Sequence, residues 1–317
     1  MQLKPVALPR PLQAELAARA TIETAFVPPE VQLDGLVQRR NMLALELGLL
    51  DAQIEQTAIE TICGNRDDTQ HVELYDGSLG VRRAFVDRHE PRIGQLQWLE
   101  DLHDRFSGPG DSAGNVAGQR WCSGGLIAND LFISAGHCFD NQDGGWQRPS
   151  RGGKVIEPAE IATLMGVNFN YQVNGQTKKK RPGEAFPVEE LLEFRFAGLD
   201  FAIVRVGTNA AGRLPGEIYG TLAIAAEDLI SEGATLCLIQ HPKGRPKGIE
   251  AGPMRHNKSG QIAYSSLDTQ GGSSGASILS DSGELVGVHT NGGCTDFSGF
   301  NFGVAIGAIR DASSIVE

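Results

Sequence analysis

The chain has few features of a membrane protein or of a nucleic-acid-binding protein. None of the apolar runs in its 317 residues is long enough to cross a bilayer, and the N-terminus lacks the basic, apolar and small-residue succession of a secretory signal. Acidic residues outnumber basic ones, 39 to 28, which gives a formal net charge of −11. That excess argues against a nucleic-acid partner. We therefore expect neither a membrane nor a nucleic-acid partner, and a cytoplasmic location unless a leader has been removed to leave a secreted protein.

Cofactor motifs are also missing. The sequence has no metal-ligand spacing and no phosphate-binding loop, so we predict no cofactor and no metal. Cysteines number five, and an odd count does not by itself indicate a disulfide framework. What the chain does have, 40 glycines and 40% hydrophobic residues, suits a loop-rich globular protein with a sizeable core.

Helical periodicity marks the N-terminal part of the chain. Good helix formers fill residues 11–26, and the Pro-Pro pair that follows stops any helix there. From Val31 to Cys63, leucines and one isoleucine recur in alternating three- and four-residue steps, the spacing of an a/d-type seam. We predict a helical extension over residues 1–63. It either packs on the body of the protein or docks a partner or another copy through residues 31–62.

Residues 64–92 are charged and turn-rich, and we interpret them as a linker to a body over residues 93–317. In this linker the basic Arg92 precedes the aliphatic Ile93, which is the pattern of an activation cleavage point. An ordinary loop leading into a strand over Gly94–Trp98 is the alternative.

The body is predicted to consist of strands and hairpins. From Trp98 onward, short apolar runs are separated by Gly, Asn, Asp and Pro. One such run, 131–133, is followed by Ser134-Ala135-Gly136-His137-Cys138, so small residues keep the imidazole of His137 accessible at a strand end. Cys138 has Cys122 as its candidate disulfide partner. A bridge there would fix the loop that carries His137.

Two further polar residues, like His137, lie beside a predicted strand or in a loop. Asp200 lies at the mouth of an apolar strand, and Ser274 lies in the glycine-rich loop 269–277. Taken alone, each has an ordinary structural reading, as a strand-end cap or as part of a solvated turn. A serine hydroxyl becomes a good nucleophile only when a base takes its proton and donors stabilise the oxyanion. His137, Asp200 and Ser274, in that order, supply the base, the carboxylate that orients it and the nucleophile.

These segments resemble the trypsin/chymotrypsin family. The histidine region of that family is similar to Trp121–Ile127 with Ser134–Cys138, its aspartate strand to Leu199–Val204, and its serine loop to Gly272–Gly275. The resemblance covers residues 93–317. It implies an all-β fold, a chymotrypsin-like double antiparallel β-barrel of two six-stranded barrels with the active site between them.

The resemblance also implies roles for individual residues. Ser274 would attack the substrate, His137 would take and return the proton, and Asp200 would hold the imidazole tautomer. The backbone amides of Gly272 and Ser274 would form the oxyanion hole. A short helix over Gly307–Val316 would close the chain.

Two positions depart from the family pattern. Ser273 stands where trypsin-like zymogens carry an Asp that pairs with a newly cut N-terminal amine, so we do not expect activation by cleavage after Arg92. Cys294 lies near the rim of the presumed pocket, but its usual partner position holds Gln270. Cys237 is an alternative partner for Cys294. We expect both to be free thiols, with Cys63 left over.

Two residues compete for the specificity pocket. Asp268, six positions before Ser274, matches the pocket aspartate of trypsin, which would favour cleavage after Arg or Lys. His289, together with Thr269 and Thr290, instead resembles the pocket of the glutamate-specific endopeptidases of Bacillus type. A His and a Thr hydroxyl can donate hydrogen bonds to a substrate carboxylate. We therefore predict cleavage after Glu or Asp, with Asp268 pointing away from the substrate or pairing with His289.

The sequence thus predicts a bacterial serine endopeptidase that acts on protein or peptide substrates. A catalytically silent, protease-like binding module is the alternative from another class.

Overall fold

The computed structural model describes residues 61–140, 146–196, 198–226, 231–295 and 298–316. The helices predicted over residues 11–26 and in the seam up to residue 60 lie outside the described residues, as does nearly all of the predicted docking segment 31–62. The bounds proposed for the extension, linker and body stay predictions. Among the helices that the structure describes, none has the length and apolar character needed to cross a bilayer.

Strands dominate the described residues, and the helices among them are short. The strands are β1 Gln70–His71, β2 Ile93–Trp98, β3 Arg120–Leu126, β4 Leu131–Ser134, β5 Ser150–Arg151, β6 Lys154–Val155, β7 Met165–Phe169, β8 Glu184–Arg195, β9 Phe201–Val206, β10 Thr235–Gln240, β11 Gly248–Lys258, β12 Gln261–Tyr264, β13 Ser277–Leu279, β14 Leu285–Asn291 and β15 Asn301–Ala305. The helices are α1 Arg83–His89, α2 Leu102–Arg105, α3 Pro158–Thr163, α4 Pro215–Tyr219 and α5 Ile306–Ala312. Single 3-10 turns lie at Val72–Leu74, Glu90–Arg92, Gly136–Phe139 and Pro242–Gly244.

The first barrel closes in the order β2-β3-β4-β9-β8-β7, with antiparallel neighbours throughout. Its interior is filled by side chains that alternate along the strands, as the period of two in a strand requires. Phe132, Phe169 and Phe186 are fully buried there, and Phe169 meets the other two rings edge-on at centroid distances of 6.1 and 5.5 Å. These rings make the first barrel a packed core and not a channel.

The second barrel closes in the order β11-β10-β13-β14-β15-β12, because the long β11 pairs with β10 at one end and with β12 at the other. The prediction of two six-stranded antiparallel barrels is therefore confirmed. The predicted closing helix is present as α5, which begins at Ile306 and ends at Ala312, earlier than expected.

The segment before the first barrel packs on the second one. Strand β1 pairs with the first residues of β11, and the buried side chains of Val72, Tyr75, Val81 and Val86 belong to the core of the second barrel. The fully buried Lys247 donates to both the carbonyl and a carboxylate oxygen of Glu90, at 2.6 and 2.8 Å. Residues 64–92, which we interpreted as a linker, thus contribute to a barrel core.

One cysteine prediction is wrong. Cys63 and Cys294 form a disulfide that joins positions 231 residues apart in the chain, whereas we expected Cys294 to be free. Cys237 is the free thiol, and it is buried in strand β10, where burial raises its pKa. Sequence spacing could not indicate the pairing, because the segment around Cys63 reaches the pocket rim only in the folded chain.

Candidate active site

His137 and Asp200 are brought together by two paired strands. Strand β4 ends just before the 3-10 turn that carries His137, and strand β9 begins just after Asp200, with Ser134 opposite Ala202 in the antiparallel pair. The backbone N–H of His137 donates to Asp200 Oδ1 at 2.9 Å, and His137 Nδ1 lies 2.6 Å from Asp200 Oδ2. The carboxylate therefore binds both the backbone and the ring of His137, which fixes the orientation of the imidazole.

Ser274 approaches the same imidazole from the second barrel. It lies in the loop between β12 and β13, and its Oγ is 2.6 Å from His137 Nε2. Ser274 is buried, while the His137 side chain keeps 27% of its surface exposed. The three predicted residues thus form one hydrogen-bonded row that ends at the hydroxyl of Ser274.

The loop of Ser274 is held in place by the first barrel. The backbone N–H of Ser123, in β3, donates to the carbonyl of Ser274 at 2.8 Å. On the other side of the loop, Gly275 N–H donates to the carbonyl of His289 at 2.8 Å. Gly275 has φ +82, and a Cβ there would collide with the Ser134 side chain and the Ser123 carbonyl. Only glycine fits this position without a shift of the backbone.

The peptide group between Gly271 and Gly272 has a defined orientation. Lys243 N–H donates to the carbonyl of Gly271 at 2.5 Å, and Lys243 itself adopts the left-handed conformation with φ 53. Because the N–H and C=O of a trans peptide point in opposite directions, the N–H of Gly272 is directed away from Lys243. Gly272 has φ +101, and a Cβ there would lie 2.7 Å from the carbonyl of His241. The site therefore requires glycine at this amide.

A disulfide connects Cys122 in β3 to Cys138 in the turn that carries His137, with the Cα atoms 6.3 Å apart. The indole N–H of Trp121 also donates to the carbonyl of Cys138, at 3.0 Å. These two links hold the residue next to His137 against the barrel wall.

Both carboxylate oxygens of Asp268 accept main-chain hydrogen bonds. Its Oδ1 accepts the backbone N–H of Cys63 at 2.7 Å, and its Oδ2 accepts that of Asp68 at 3.2 Å. The side chain is almost fully buried, and burial raises its pKa to about 6. Asp268 therefore binds the segment that precedes the first barrel.

Thr269 lies on the same side of the loop and is also bound to that segment. Its backbone N–H and its hydroxyl both reach the carbonyl of Thr61, at 3.2 and 3.4 Å. Asn301 donates to the same carbonyl at 2.8 Å. The segment at Thr61 is thus part of the wall behind Thr269, a role that sequence reasoning missed because main-chain contacts leave no signal in the sequence.

His289 and Thr290 lie on β14, and both are buried. The Tyr264 hydroxyl is hydrogen-bonded to Nδ1 of His289. Burial, reinforced by the nearby His137, lowers the pKa of His289 to about 3, so the ring is neutral near pH 7. Of the residues predicted to form the pocket, His289 contacts the loop of Ser274 through its carbonyl, which accepts the N–H of Gly275. The Thr269 hydroxyl and the Asp268 carboxylate are instead bound to the segment before the first barrel.

The chain is similar to known proteins in sequence and in fold. A family model described as a trypsin-like peptidase domain matches residues 122–288. An uncharacterized protein of Sinorhizobium fredii, y4fB, is 27% identical over 188 residues, which is 54% of this chain and 25% of that protein. Exfoliative toxin A of Staphylococcus aureus is 26% identical over 202 residues, which is 60% of this chain and 64% of the toxin. The chain thus spans less than two thirds of each of these relatives.

Among solved structures, a Glu endopeptidase in complex with MPD matches 79% of this chain and 99% of its own, with a TM-score of 0.50 and 16% identity. At that identity the likeness concerns the fold alone.

Proposed function

The chain belongs to the family of trypsin-like peptidase domains, and from this we propose that it is a serine endopeptidase with Ser274 as its nucleophile. The observation that carries the proposal is the row of two contacts of 2.6 Å, from Asp200 Oδ2 to His137 Nδ1 and from His137 Nε2 to Ser274 Oγ. A nucleophile, its base and the group that orients the base are here within hydrogen-bonding reach of one another.

The proposed reaction proceeds through an acyl-enzyme. Ser274 Oγ attacks the peptide carbonyl carbon while its proton passes to His137 Nε2, and Asp200 stabilises the imidazolium that forms. The N–H groups of Gly272 and Ser274 stabilise the oxyanion. His137 then gives the proton to the leaving amine, and a water molecule activated by the same imidazole hydrolyses the ester.

A fluorophosphonate probe tests this proposal, because it labels only an activated serine. We expect stoichiometric labelling of the wild-type protein at Ser274 and no labelling of Ser274→Ala. Ser282→Ala, in the exposed turn between β13 and β14, is the matched control and should label like the wild type. A folded wild-type protein that binds peptides but stays unlabelled would instead be the catalytically silent binding module.

For specificity, we propose cleavage after Glu or Asp. Asp268 is the group that would favour Arg or Lys, but both of its oxygens already accept main-chain N–H groups of the segment before the first barrel. His289 is buried beside the loop of Ser274 and can donate from Nε2 to a substrate carboxylate. The hydroxyl of Thr290 is a further donor on the same strand.

Because the ring of His289 is neutral in the absence of substrate, a bound carboxylate would also raise its pKa and draw in a proton. Binding of acidic substrates should then weaken as the pH rises, while binding of a Gln analogue should not.

A peptide library varied only at the residue before the scissile bond tests the specificity. We expect cleavage after Glu and Asp, with Ser274→Ala as the inactive control. His289→Gln should lose at least 10-fold in kcat/KM for the Glu peptide, while Asp268→Asn keeps the acidic preference. Cleavage after Arg or Lys that disappears in Asp268→Asn would assign the pocket to Asp268 and overturn the proposal.

A further inference from the structure

Three carboxylates from separate parts of the chain meet behind the pocket loop. Asp67 comes from the segment before the first barrel, Glu250 from β11 and Asp268 from the loop after β12. One oxygen from each lies within 4.8 Å of the other two. We call these three residues the acidic cluster.

Glu250 is the unusual member of the acidic cluster. The residue is fully buried, and neither of its carboxylate oxygens has a hydrogen-bond partner among the described residues. Its neighbours in the cluster are two more carboxylates. A buried carboxylate normally needs a hydrogen-bond donor, a counter-charge or a metal, because removing its charge from water is costly. Within the part of the chain that the structure describes, the surroundings of Glu250 include the Thr69 side chain and the carboxylates of Asp68 and Asp268, but no cation.

The two aspartates keep some acceptor capacity. Asp268 accepts one main-chain N–H on each oxygen. Asp67 Oδ1 accepts the N–H of Thr69 at 3.1 Å, and Asp67 Oδ2 accepts the side-chain amide of Gln270 at 2.8 Å. A carboxylate has about four lone-pair directions, so each aspartate can still bind a cation. An opposing charge is present at the half-exposed Arg245, whose Nη2 lies 3.4 Å from Asp67 Oδ2.

A bound cation would supply a direct partner for the buried carboxylate of Glu250.

We propose that the acidic cluster binds a calcium ion. Its donors are all carboxylate oxygens, which suit hard cations. Ligands on opposite sides of calcium lie up to about 5 Å apart, against about 4 Å around magnesium. Three carboxylate oxygens that lie within 4.8 Å of one another can share one calcium ion. Asp67 is exposed at the surface and gives the ion a route of entry.

Such an ion would join three segments that the fold otherwise holds by hydrogen bonds and the Cys63–Cys294 disulfide. Because Asp268 directly precedes Thr269, calcium would also stiffen the wall of the specificity pocket. The proposal does not depend on catalysis and applies equally to a protein without peptidase activity.

Calcium binding can be measured on the full-length protein after treatment with EDTA and removal of the chelator. In isothermal titration calorimetry we expect one saturable site for CaCl2 per chain. In thermal unfolding, calcium at about 100 times its Kd should raise Tm by roughly 5–10 °C. MgCl2 and NaCl at matched ionic strength should raise it far less. No binding heat and no calcium-dependent shift would overturn the proposal and leave Glu250 as a neutral, protonated acid.

Variants locate the site. Glu250→Gln keeps the shape but removes the central charge, and Asp67→Asn changes the exposed ligand without disturbing the core. Both should lose the calcium-dependent rise in Tm, whereas the exposed control Glu232→Gln should keep it. If Glu250→Gln does not fold, Asp67→Asn alone decides the outcome. Calcium binding that survives in Asp67→Asn with unchanged affinity would overturn the assignment, as would terbium anomalous scattering located away from the cluster.

Discussion

The hydroxyl of Ser123 lies 2.7 Å from the carbonyl oxygen of Gly272 and donates a hydrogen bond to it. The same hydroxyl accepts the N–H of His241 at 2.9 Å, and the N–H of Ser123 donates to the carbonyl of Ser274. A single residue of the first barrel therefore contacts the loop of Ser274 on both sides of Ser273. The relative position of His137 and Ser274 depends on this bridge between the barrels.

The first prediction concerns Ser123→Ala. This variant removes the donor to Gly272 and should lower kcat about 5- to 10-fold, the equivalent of one hydrogen bond of about 1 kcal/mol. KM should change little, since Ser123 does not contact the pocket residues His289 and Thr290. Steady-state kinetics on a chromogenic peptide measures both constants, with Ser282→Ala as the control. A normal kcat in Ser123→Ala would mean that the loop is held by its own contacts.

The second prediction concerns Asp200→Asn. The neutral amide of Asn cannot accept hydrogen bonds from both the backbone N–H and the Nδ1–H of His137, as the charged carboxylate does. The imidazole therefore adopts the wrong tautomer. We expect kcat to fall by about 10⁴-fold while Tm stays within a few degrees of the wild type. Asp281→Asn, in an exposed turn, should keep full activity. A loss smaller than 10-fold in Asp200→Asn would contradict the orienting role of this carboxylate.

The third prediction compares the two disulfides. Loss of the Cys63–Cys294 bridge frees a far longer loop than loss of Cys122–Cys138, with sequence separations of 231 and 16 residues. The chain-entropy argument gives about 5 kcal/mol for the long loop and about 3 kcal/mol for the short one. Urea unfolding of the two double Cys→Ser variants measures the difference. Equal losses of unfolding free energy in the two variants would contradict the view that the long bridge acts by constraining the unfolded chain.

The two disulfide variants should also differ in kinetics. Without Cys63–Cys294 the wall behind Thr269 loosens, so KM should rise. Without Cys122–Cys138 the turn of His137 loosens, so kcat should fall.

The fourth prediction concerns stability in acid. Burial lowers the pKa values of His89, His241 and His289 to about 4, 3 and 3. Below about pH 6.5 the unfolded chain binds protons at these positions while the folded chain does not, so the contribution of these histidines to stability should be lost as the pH falls from 6.5 toward 3. The upper limit is about 1.4 kcal/mol per pH unit for each histidine.

Urea unfolding at pH 7.5 and at pH 5 measures this loss. His241→Gln should show a smaller decrease between the two pH values than the wild type, because one proton-linked group is gone. His103→Gln, at an exposed position, should show the same decrease as the wild type. An unchanged pH dependence in His241→Gln would contradict the prediction.

The architecture and the row of three polar residues could be predicted because their signals are local. His137 and Asp200 each stand at the end of an apolar strand, and Ser274 stands among glycines. Pairing of β4 with β9 is enough to bring the first two together. These features depend on residue type and short spacing, which the sequence displays directly.

The orientation of Asp268 and the partner of Cys63 could not be predicted in the same way. Both depend on the segment 61–69 packing against a loop more than 200 residues away, largely through main-chain N–H and C=O groups. Every residue carries such groups, so no residue type marks the contact. Ser123 lies within a motif that was identified, but its role depends on a carbonyl of the other barrel.

The hydrophobic side chains between Val72 and Val86 decide where the chain can be shortened. A protein beginning at Ile93 would lack four side chains of the second core and the Glu90 acceptor of the buried Lys247. Cleavage after Arg92 would break the covalent link to that packed layer and create a new α-amino group on Ile93, which is fully buried. Truncations intended to separate the N-terminal residues from the barrels should therefore end before Thr61, whose carbonyl still binds Thr269. A trimmed protein designed on that boundary keeps every described side chain of both cores and the contact of Thr61 with Thr269.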